Sequence, residues 1–317
     1  MNGVKRIAVA GLGNLGKSVL RGAKRFSDLE ISYAFSRRVN GISKEGDIYK
    51  LPFDRINKYK DEIDCLILCF GSSELSEMGP RLAANFNTVD SFDTHSAIPD
   101  YLIKMKEAAR ESRCTSVISS GWDPGLMSLA RLYFGAFMPY ASVGTLWGPG
   151  VSQGHSEVIR RIPGVKKAVQ YTVPKESAEE ALRESKPISS RAAHKRKCYV
   201  VAEEGREAEI AEAIRGNERY FKGYEVEISF ITNEEFEKEH SHLPHAGKVI
   251  ASGKTEGGDQ SAELRLALKS NPDFTAHILL ATARAAVRLN EEGSYGAFTP
   301  FDIPPRYFFQ SSPTILL

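Results

Sequence analysis

The sequence predicts an α/β protein in two parts: a parallel sheet with crossover helices, then a mixed α+β region. Three observations lead there. Short apolar runs alternate with helix-length segments through the first 120 residues, the pattern of strands joined by crossover helices. A Gly11-Leu12-Gly13-Asn14-Leu15-Gly16 turn lies directly after the first of those runs. Beyond Gly121 the texture changes to a helix followed mainly by strand-like runs.

Taken in order, residues 5–10 read as a strand, followed by a helical stretch to about Phe26. Ile31–Phe35 reads as a second strand, Ile48–Phe53 as a short third and Cys65–Phe70 as a fourth. A helix over Leu75–Phe86 leads to a fifth strand at Thr88–Asp90. A helix over Pro99–Ser112 leads to a sixth at Ser116–Ser119. Asp123-Pro124 carries helix-start signals, Asp as N-cap and Pro at the first helical position, for a helix to about Phe137. Strands are then expected at Ala141–Trp147, Lys167–Val173, Arg196–Ala202, Tyr224–Thr232, Lys248–Gly253 and Ser261–Leu268, a mostly antiparallel set. A short helix over Ser156–Ile162 ends at Pro163, Pro174–Ala192 is polar and helix- or loop-like, and Asp273–Asn290 closes the chain as a helix.

Composition narrows the function classes. The 317 residues are 42% apolar and 26% charged, ordinary for a globular protein. The formal charge is +2, and the basic clusters such as Arg37-Arg38 and Arg160-Arg161 are too short and separate to form a nucleic-acid stripe. No apolar run approaches the roughly 20 residues of a membrane span, and the N-terminus has no secretory h-region. The four cysteines show no CxxC and no zinc-ligand spacing, so neither a metal nor a disulfide framework is expected. These features point to a reducing cytoplasm.

The glycine turn has the context that gives it meaning, after a strand and before a helix. Gly11 permits the tight turn, Gly13 lets backbone approach a pyrophosphate, and Gly16 lets helix and strand pack closely. The phosphates would then meet the N–H groups of Asn14, Leu15 and Gly16 at the helix N-terminus. The first part is therefore read as a Rossmann-like dinucleotide-binding domain. At the end of the second strand, where NAD sites carry an acid, stand Ser36, Arg37 and Arg38. Two guanidiniums and a hydroxyl suit the 2′-phosphate of NADP(H); two solvated surface arginines are the alternative. Gly71, Ser72 and Ser73 after the fourth strand leave room for ribose and nicotinamide, and Cys69 near that strand's end is a further cofactor contact candidate. Ligands in open parallel sheets bind beyond the strands' carboxyl ends, which makes Asp93 and the Trp122-Asp123 pair substrate candidates. A turn carboxylate and a helix cap are the ordinary readings of these two acids.

Several longer segments carry a resemblance. Phe35-Ser36-Arg37-Arg38, Asp90-Ser91-Phe92-Asp93, Gly121-Trp122-Asp123-Pro124-Gly125, Trp147-Gly148-Pro149-Gly150-Val151-Ser152-Gln153-Gly154-His155-Ser156 and Arg160-Arg161-Ile162-Pro163-Gly164-Val165 stand in this order. So do Val169-Gln170-Tyr171-Thr172, His194-Lys195-Arg196, Pro244-His245-Ala246-Gly247 and Asn271-Pro272-Asp273-Phe274. Together with the glycine turn they resemble the meso-diaminopimelate dehydrogenase family over nearly the whole chain. The departures are single sites such as Lys248 and the tail from about Thr299.

The resemblance implies NADP(H)-dependent oxidative deamination of the D-centre of meso-2,6-diaminopimelate, giving ammonia and L-2-amino-6-oxopimelate, in lysine and diaminopimelate biosynthesis. It implies a dinucleotide domain over residues 1–120, completed by about 270–317, and a dimerisation and substrate domain over 121–269, paired in a homodimer. Asp93, Asp123 and Trp122 would stand at the reacting D-centre, with either acid as the base. Thr172, Arg196, His245 and Asn271 would hold the distal L-centre. Trp147, Gln153 and Gly154 would complete the substrate site. The rivals are another two-domain NADPH reductase, of the aspartate-semialdehyde or dihydrodipicolinate type, and an NADPH-binding regulator without catalysis. The aspartate-semialdehyde type would want a nucleophilic cysteine at a helix start, whereas Cys114 lies just before an expected strand and Cys198 within one; the regulator would not need the distal donor set.

Overall fold

The structure is a computed structural model describing residues 3–218, 220–240 and 244–317. The chain divides into two compact units, Met1–Leu129 with Pro272–Leu317, and Ala130–Asn271.

The first unit carries strands β1 (Lys5–Ala10), β2 (Leu29–Ser36), β3 (Ser43–Glu45), β4 (Ile48–Pro52), β5 (Cys65–Leu68), β6 (Thr88–Asp90) and β7 (Thr115–Val117). Helices α1 (Asn14–Gly22), α2 (Ser72–Ala83) and α3 (Ile98–Glu111) connect them, with a 3-10 segment over Phe53–Glu62. The sheet runs β15-β7-β6-β5-β1-β2-β4-β3, where β15 (Gly296–Phe298) is a C-terminal edge strand pairing parallel to β7. All its neighbours pair parallel except the β3–β4 hairpin. β1 lies between β2 and β5, so the strand order reverses there and leaves a crevice beyond its carboxyl end.

Alternation along the strands explains why both faces are covered. Ile7, Val9, Cys65 and Ile67 point to one side, where the long helix α10 (Asn271–Glu291) packs Leu279, Leu280 and Ala283 against them. Ala8, Ala10, Leu66 and Leu68 point to the other, under α2 and α3. The Arg284 guanidinium on α10 is buried and bonds both carboxylate oxygens of Asp28, at 2.5 and 2.6 Å. That pair ties the returning C-terminal helix to the turn before β2.

One expectation about helix starts is corrected. Helix α4 runs Leu126–Phe137, not from Pro124. Gly125 sits at φ +130°, outside the helical region, and residues 121 and 125 form an isolated bridge. The helix therefore starts after the glycine, and Asp123 lies in the preceding turn rather than at the N-cap.

The second unit holds two sheets. β8 (Ser142–Trp147), β13 (His245–Thr255) and β14 (Gly258–Leu268) form an antiparallel three-stranded sheet, covered by α6 (Glu176–Arg183) through Ala178 and Leu182. β9 (Gly150–Val151), β10 (Val165–Pro174), β11 (His194–Ala202) and β12 (Glu225–Phe230) form the other. Its β11–β12 pair is parallel, and its core includes Ile159 from α5 (Gln153–Arg160) and Ile210 and Ile214 from α8 (Glu207–Gly216). The short helices α7 (Ser190–Ala193) and α9 (Asn233–His240) precede β11 and follow β12. The α/β class with a Rossmann-like sheet and a mixed α+β second part is what the fold shows. Among the described residues no helix is long and apolar enough to cross a membrane.

Candidate functional site

The first unit builds a nucleotide cleft from backbone. Gly11 takes φ +102°, and a Cβ there would meet the Cys69 carbonyl oxygen at 2.6 Å. A Cβ on Gly16 would lie 1.9 Å from the Gly11 carbonyl oxygen, so α1 can approach its turn only as glycine. Gly13 is different: it is exposed and a Cβ there meets nothing within 4 Å. Gly13 also stands at the N-cap of α1 without any side-chain cap, leaving first-turn N–H groups for an external acceptor. A cleft of about 170 Å³ opens in front, bounded by Gly11–Gly13, Ser36–Arg38 and Cys69–Gly71. A pyrophosphate fits this cradle in the open space at Gly13, and the basic corner fits a 2′-phosphate.

That corner is asymmetric. Ser36 is buried and its hydroxyl accepts the Arg38 backbone N–H at 3.2 Å. Arg37 forms an ion pair with Glu74 at 2.5 Å, whereas Arg38 forms none among the described residues. Glu74 lines the same cleft from the first turn of α2, and the sequence reading missed it. Its place one residue beyond Ser72-Ser73 was the available signal.

Beyond the carboxyl ends of β6 and β7, one buried carboxylate organises two loops. Asp90 is the last residue of β6, as the sequence reading placed it, and is fully buried. Its Oδ1 accepts the N–H groups of Phe92 and Ser119, and its Oδ2 accepts the Tyr101 hydroxyl at 2.8 Å. Burial pushes this carboxyl up to about 6 against the pull of those three bonds. The loop bearing Asp93 and the loop leading to Trp122 and Asp123 are thereby held to one anchor, and a Cβ on Gly121 would lie 3.7 Å from that of Ser91. Asp93 itself is exposed; it accepts the Ser72 hydroxyl at 2.5 Å and donates its N–H back at 2.9 Å. Trp122 and Asp123 are half-buried, and Ser73 is exposed on the first turn of α2.

In the second unit, strand register assembles a different kind of pocket. Thr172 on β10 stands opposite Arg196 on β11. Thr172 also pairs with Gly150 on β9, where an added Cβ would meet the Cα of His245 at 2.9 Å. Thr172, Arg196 and His245 are thus neighbours, although they are distant in sequence. Arg196 as a residue is 7% exposed, and its guanidinium donates to the Thr172 hydroxyl and lies over the Tyr224 ring at 4.1 Å. Its Nε has no partner, and no carboxylate among the described residues pairs with it. Nearby, His155 Nδ1 bonds Gln170 Oε1 at 2.9 Å. Burial, with the Arg196 charge, brings His155 down to about 4, so it stays neutral around pH 7.

Trp147 ends β8, and its backbone N–H donates to His194 Nε2 at 2.9 Å. The His194 ring lies 5.4 Å from the indole. Gly154 is exposed in the first turn of α5, and Asn271 is the first residue of α10. The side chain of Gln153 lies outside the described residues. His155, Gln170 and Tyr224 were given no role in the sequence reading, because only cross-strand register brings them to Arg196.

Comparison with known proteins agrees with this architecture. Residues 121–270 match the family described as the diaminopimelic acid dehydrogenase C-terminal domain. A meso-diaminopimelate D-dehydrogenase from Ureibacillus thermosphaericus is 46% identical over 314 residues, covering 97% of this chain and 96% of that protein. The solved structure of Corynebacterium glutamicum DAP dehydrogenase in complex with DAP superimposes with a TM-score of 0.93 at 39% identity, covering 100% of this chain and 98% of that one. An engineered D-amino acid dehydrogenase bound to NADP+ gives a TM-score of 0.87 at 38% identity, covering 98% of both chains. On this evidence the chain belongs to the meso-diaminopimelate D-dehydrogenase family.

Proposed function

We propose that the protein catalyses the reversible, NADP-dependent oxidative deamination of meso-2,6-diaminopimelate at its D-centre. Substrate, NADP+ and water give L-2-amino-6-oxopimelate, ammonium, NADPH and a proton, and the product cyclises to tetrahydrodipicolinate. The reverse reaction builds diaminopimelate for lysine synthesis. The observation that carries this reading is Arg196, a buried arginine with an unbonded Nε and no carboxylate paired with it among the described residues. A buried charge without a partner is costly unless a ligand supplies one, and the distal carboxylate of a second amino-acid centre is such a ligand.

Bound NADP+ supplies the hydride acceptor, and water then replaces nitrogen at the oxidised carbon. The chain's residues do the rest by position and charge. Arg196 clamps the distal carboxylate, with Thr172, His245 and Asn271 providing hydrogen bonds to the same L-centre. Asp93 and Asp123 hold the reacting ammonium beside Trp122, and one of them takes its proton directly or through water, since hydride leaves only from carbon bearing a neutral amine. Trp147, Gln153 and Gly154 complete the substrate site. Gly11, Gly13, Asn14, Leu15 and Gly16 hold the pyrophosphate. Ser36, Arg37 and Arg38 hold the 2′-phosphate, and Cys69, Gly71, Ser72 and Ser73 leave space for ribose and nicotinamide.

The unit built on the parallel sheet is the cofactor domain, and residues 121–269 serve substrate binding and dimerisation. Exposed Leu132, Tyr133, Phe137 and Tyr140 support a homodimer interface on that part of the chain. Sedimentation at micromolar concentration reads this, and a monomer would contradict it. The cytoplasm, where lysine precursors are made, is the proposed location. Function is tested by following NADP+ reduction with meso- and LL-diaminopimelate separately, with ammonia measured in parallel. Turnover with the meso compound and none with LL is expected; equal rates with both, or none with either, would refute the assignment.

A further inference from the structure

The two arginines at the 2′ corner of the nucleotide cleft are not equivalent, and the difference comes from Glu74. Arg37 gives an N–H to the Glu74 carboxylate at 2.5 Å, and Glu74 is the less exposed partner, at 29% against 68%. Both residues line the 170 Å³ cleft, and both also line an adjoining cleft of about 590 Å³ with Phe53, Asp54 and Met78. The pair is therefore a wall shared by two depressions rather than an isolated surface contact. Glu74 is held on a fixed base: it lies in the first turn of α2, where its N–H donates to the Gly71 carbonyl at 2.9 Å. Arg38, whose backbone is turned onto the Ser36 hydroxyl, has no acid beside it among the described residues.

We infer that Glu74 is a specificity-determining residue that weakens selection for the 2′-phosphate, so that Arg38 is the principal phosphate clamp and Arg37 a neutralised one. The inference rests on the cofactor reading above. A phosphate monoester brings close to two negative charges at pH 7. At this corner the Glu74 carboxylate offsets one of the two guanidinium charges and lines the same cleft that a 2′-phosphate would enter. The Arg37 charge is already partly satisfied by that carboxylate, so its net gain from a phosphate is smaller than that of Arg38. Toward a ribose that keeps its 2′-hydroxyl the same carboxylate works in the opposite direction, because it can accept the O–H, as an acid does in NAD sites. Glu74 thus lowers discrimination from both sides. The corner is partly exposed and screened, so the expected size is about three- to tenfold in affinity rather than several orders of magnitude.

The test is calorimetric binding of 2′,5′-ADP and of 5′-ADP to the full-length protein and to Glu74→Gln, Glu74→Asp and Arg38→Ala. Glu74→Gln should tighten 2′,5′-ADP at least threefold without tightening 5′-ADP, the gap should shrink at high salt, and Glu74→Asp should stay near the parent. An unchanged ratio of the two affinities in Glu74→Gln would overturn the inference. Weaker 2′,5′-ADP binding would also overturn it, since Glu74 would then be orienting Arg37 productively. Arg38→Ala separates the two levels: if it weakens 2′,5′-ADP while Glu74→Gln changes nothing, the inference alone fails. If neither variant matters, the assignment of the 2′-phosphate corner fails with it.

Discussion

The glycine cleft of the first unit and the Arg196 pocket of the second present charge by opposite means. The cleft is made of backbone: glycines that bring Gly11, Gly13 and Gly16 to the helix N-terminus, with arginines at a partly exposed rim. The pocket is made of buried side chains drawn from strands far apart in sequence, with Arg196 embedded between Thr172 and Tyr224. Exposed charge costs little to keep and is screened when used. Buried charge is costly to keep and strong when matched. Stability and function should therefore separate differently in the two places.

The largest contrast is expected at Arg196. Arg196→Met removes a buried cation that lacks a protein counter-ion, so the melting temperature should hold or rise, while kcat/KM for meso-diaminopimelate falls at least about 100-fold, ~3 kcal/mol. NADP+ affinity should not move. Steady-state kinetics with thermal melting reads all three, and a kcat/KM within about twofold would remove Arg196 from the substrate site. A substantial melting loss would instead show that the pocket relies on the guanidinium for its fold.

The motif glycines sharpen the comparison within the cleft itself. Gly16→Ala drives a Cβ to 1.9 Å from a backbone oxygen and should cost about 3 kcal/mol or more of stability. Gly13→Ala meets open space at φ −74°, so its melting should stay near the parent while NADP+ affinity falls about tenfold. Denaturant unfolding and nucleotide titration would distinguish these roles. Similar losses of stability in both variants would mean that the turn is structural throughout.

Asp90 provides the smallest and most specific effect. Its carboxyl is ordinary at 3.8 in an unfolded chain and raised to about 6 by burial in the fold. Between these values the native state binds more protons than the unfolded one, so stability falls as pH rises through that window. The size is on the order of 2 kcal/mol. Asp90→Asn keeps an acceptor for the Phe92 and Ser119 N–H groups and cannot ionise. Its melting temperature should therefore lose less between pH 4 and pH 6 than the parent's. Parallel pH profiles would show that Asp90 does not carry this term.

Much of the first unit was legible because its signals are local. The glycine turn, the apolar runs at β1 and β5 and the Ser36–Arg38 corner depend on neighbours in sequence. β15 was missed because Gly296–Phe298 is three residues long and becomes a strand only by pairing with β7. The start of α4 was misplaced because Asp123-Pro124 carries start signals, while the φ of Gly125 overrides them. Arg196 and Thr172 were identified by resemblance, since a lone arginine or threonine in a strand says nothing of its partners. Their pairing across β10 and β11, and the approach of His245 through β9, are products of register. Asp90 shows the converse limit: its acid was visible beside Asp93, but only its burial separates an anchor from a group that meets solvent.

Hydride should leave the D-centre of the meso substrate while the L-centre is held. Two samples of meso-diaminopimelate, one carrying deuterium at the D α-carbon and one at the L α-carbon, decide it. Mass spectrometry of the reduced cofactor should find deuterium from the first sample and none from the second. Deuterium arriving from the L-labelled sample would contradict the assignment of the reacting and distal ends.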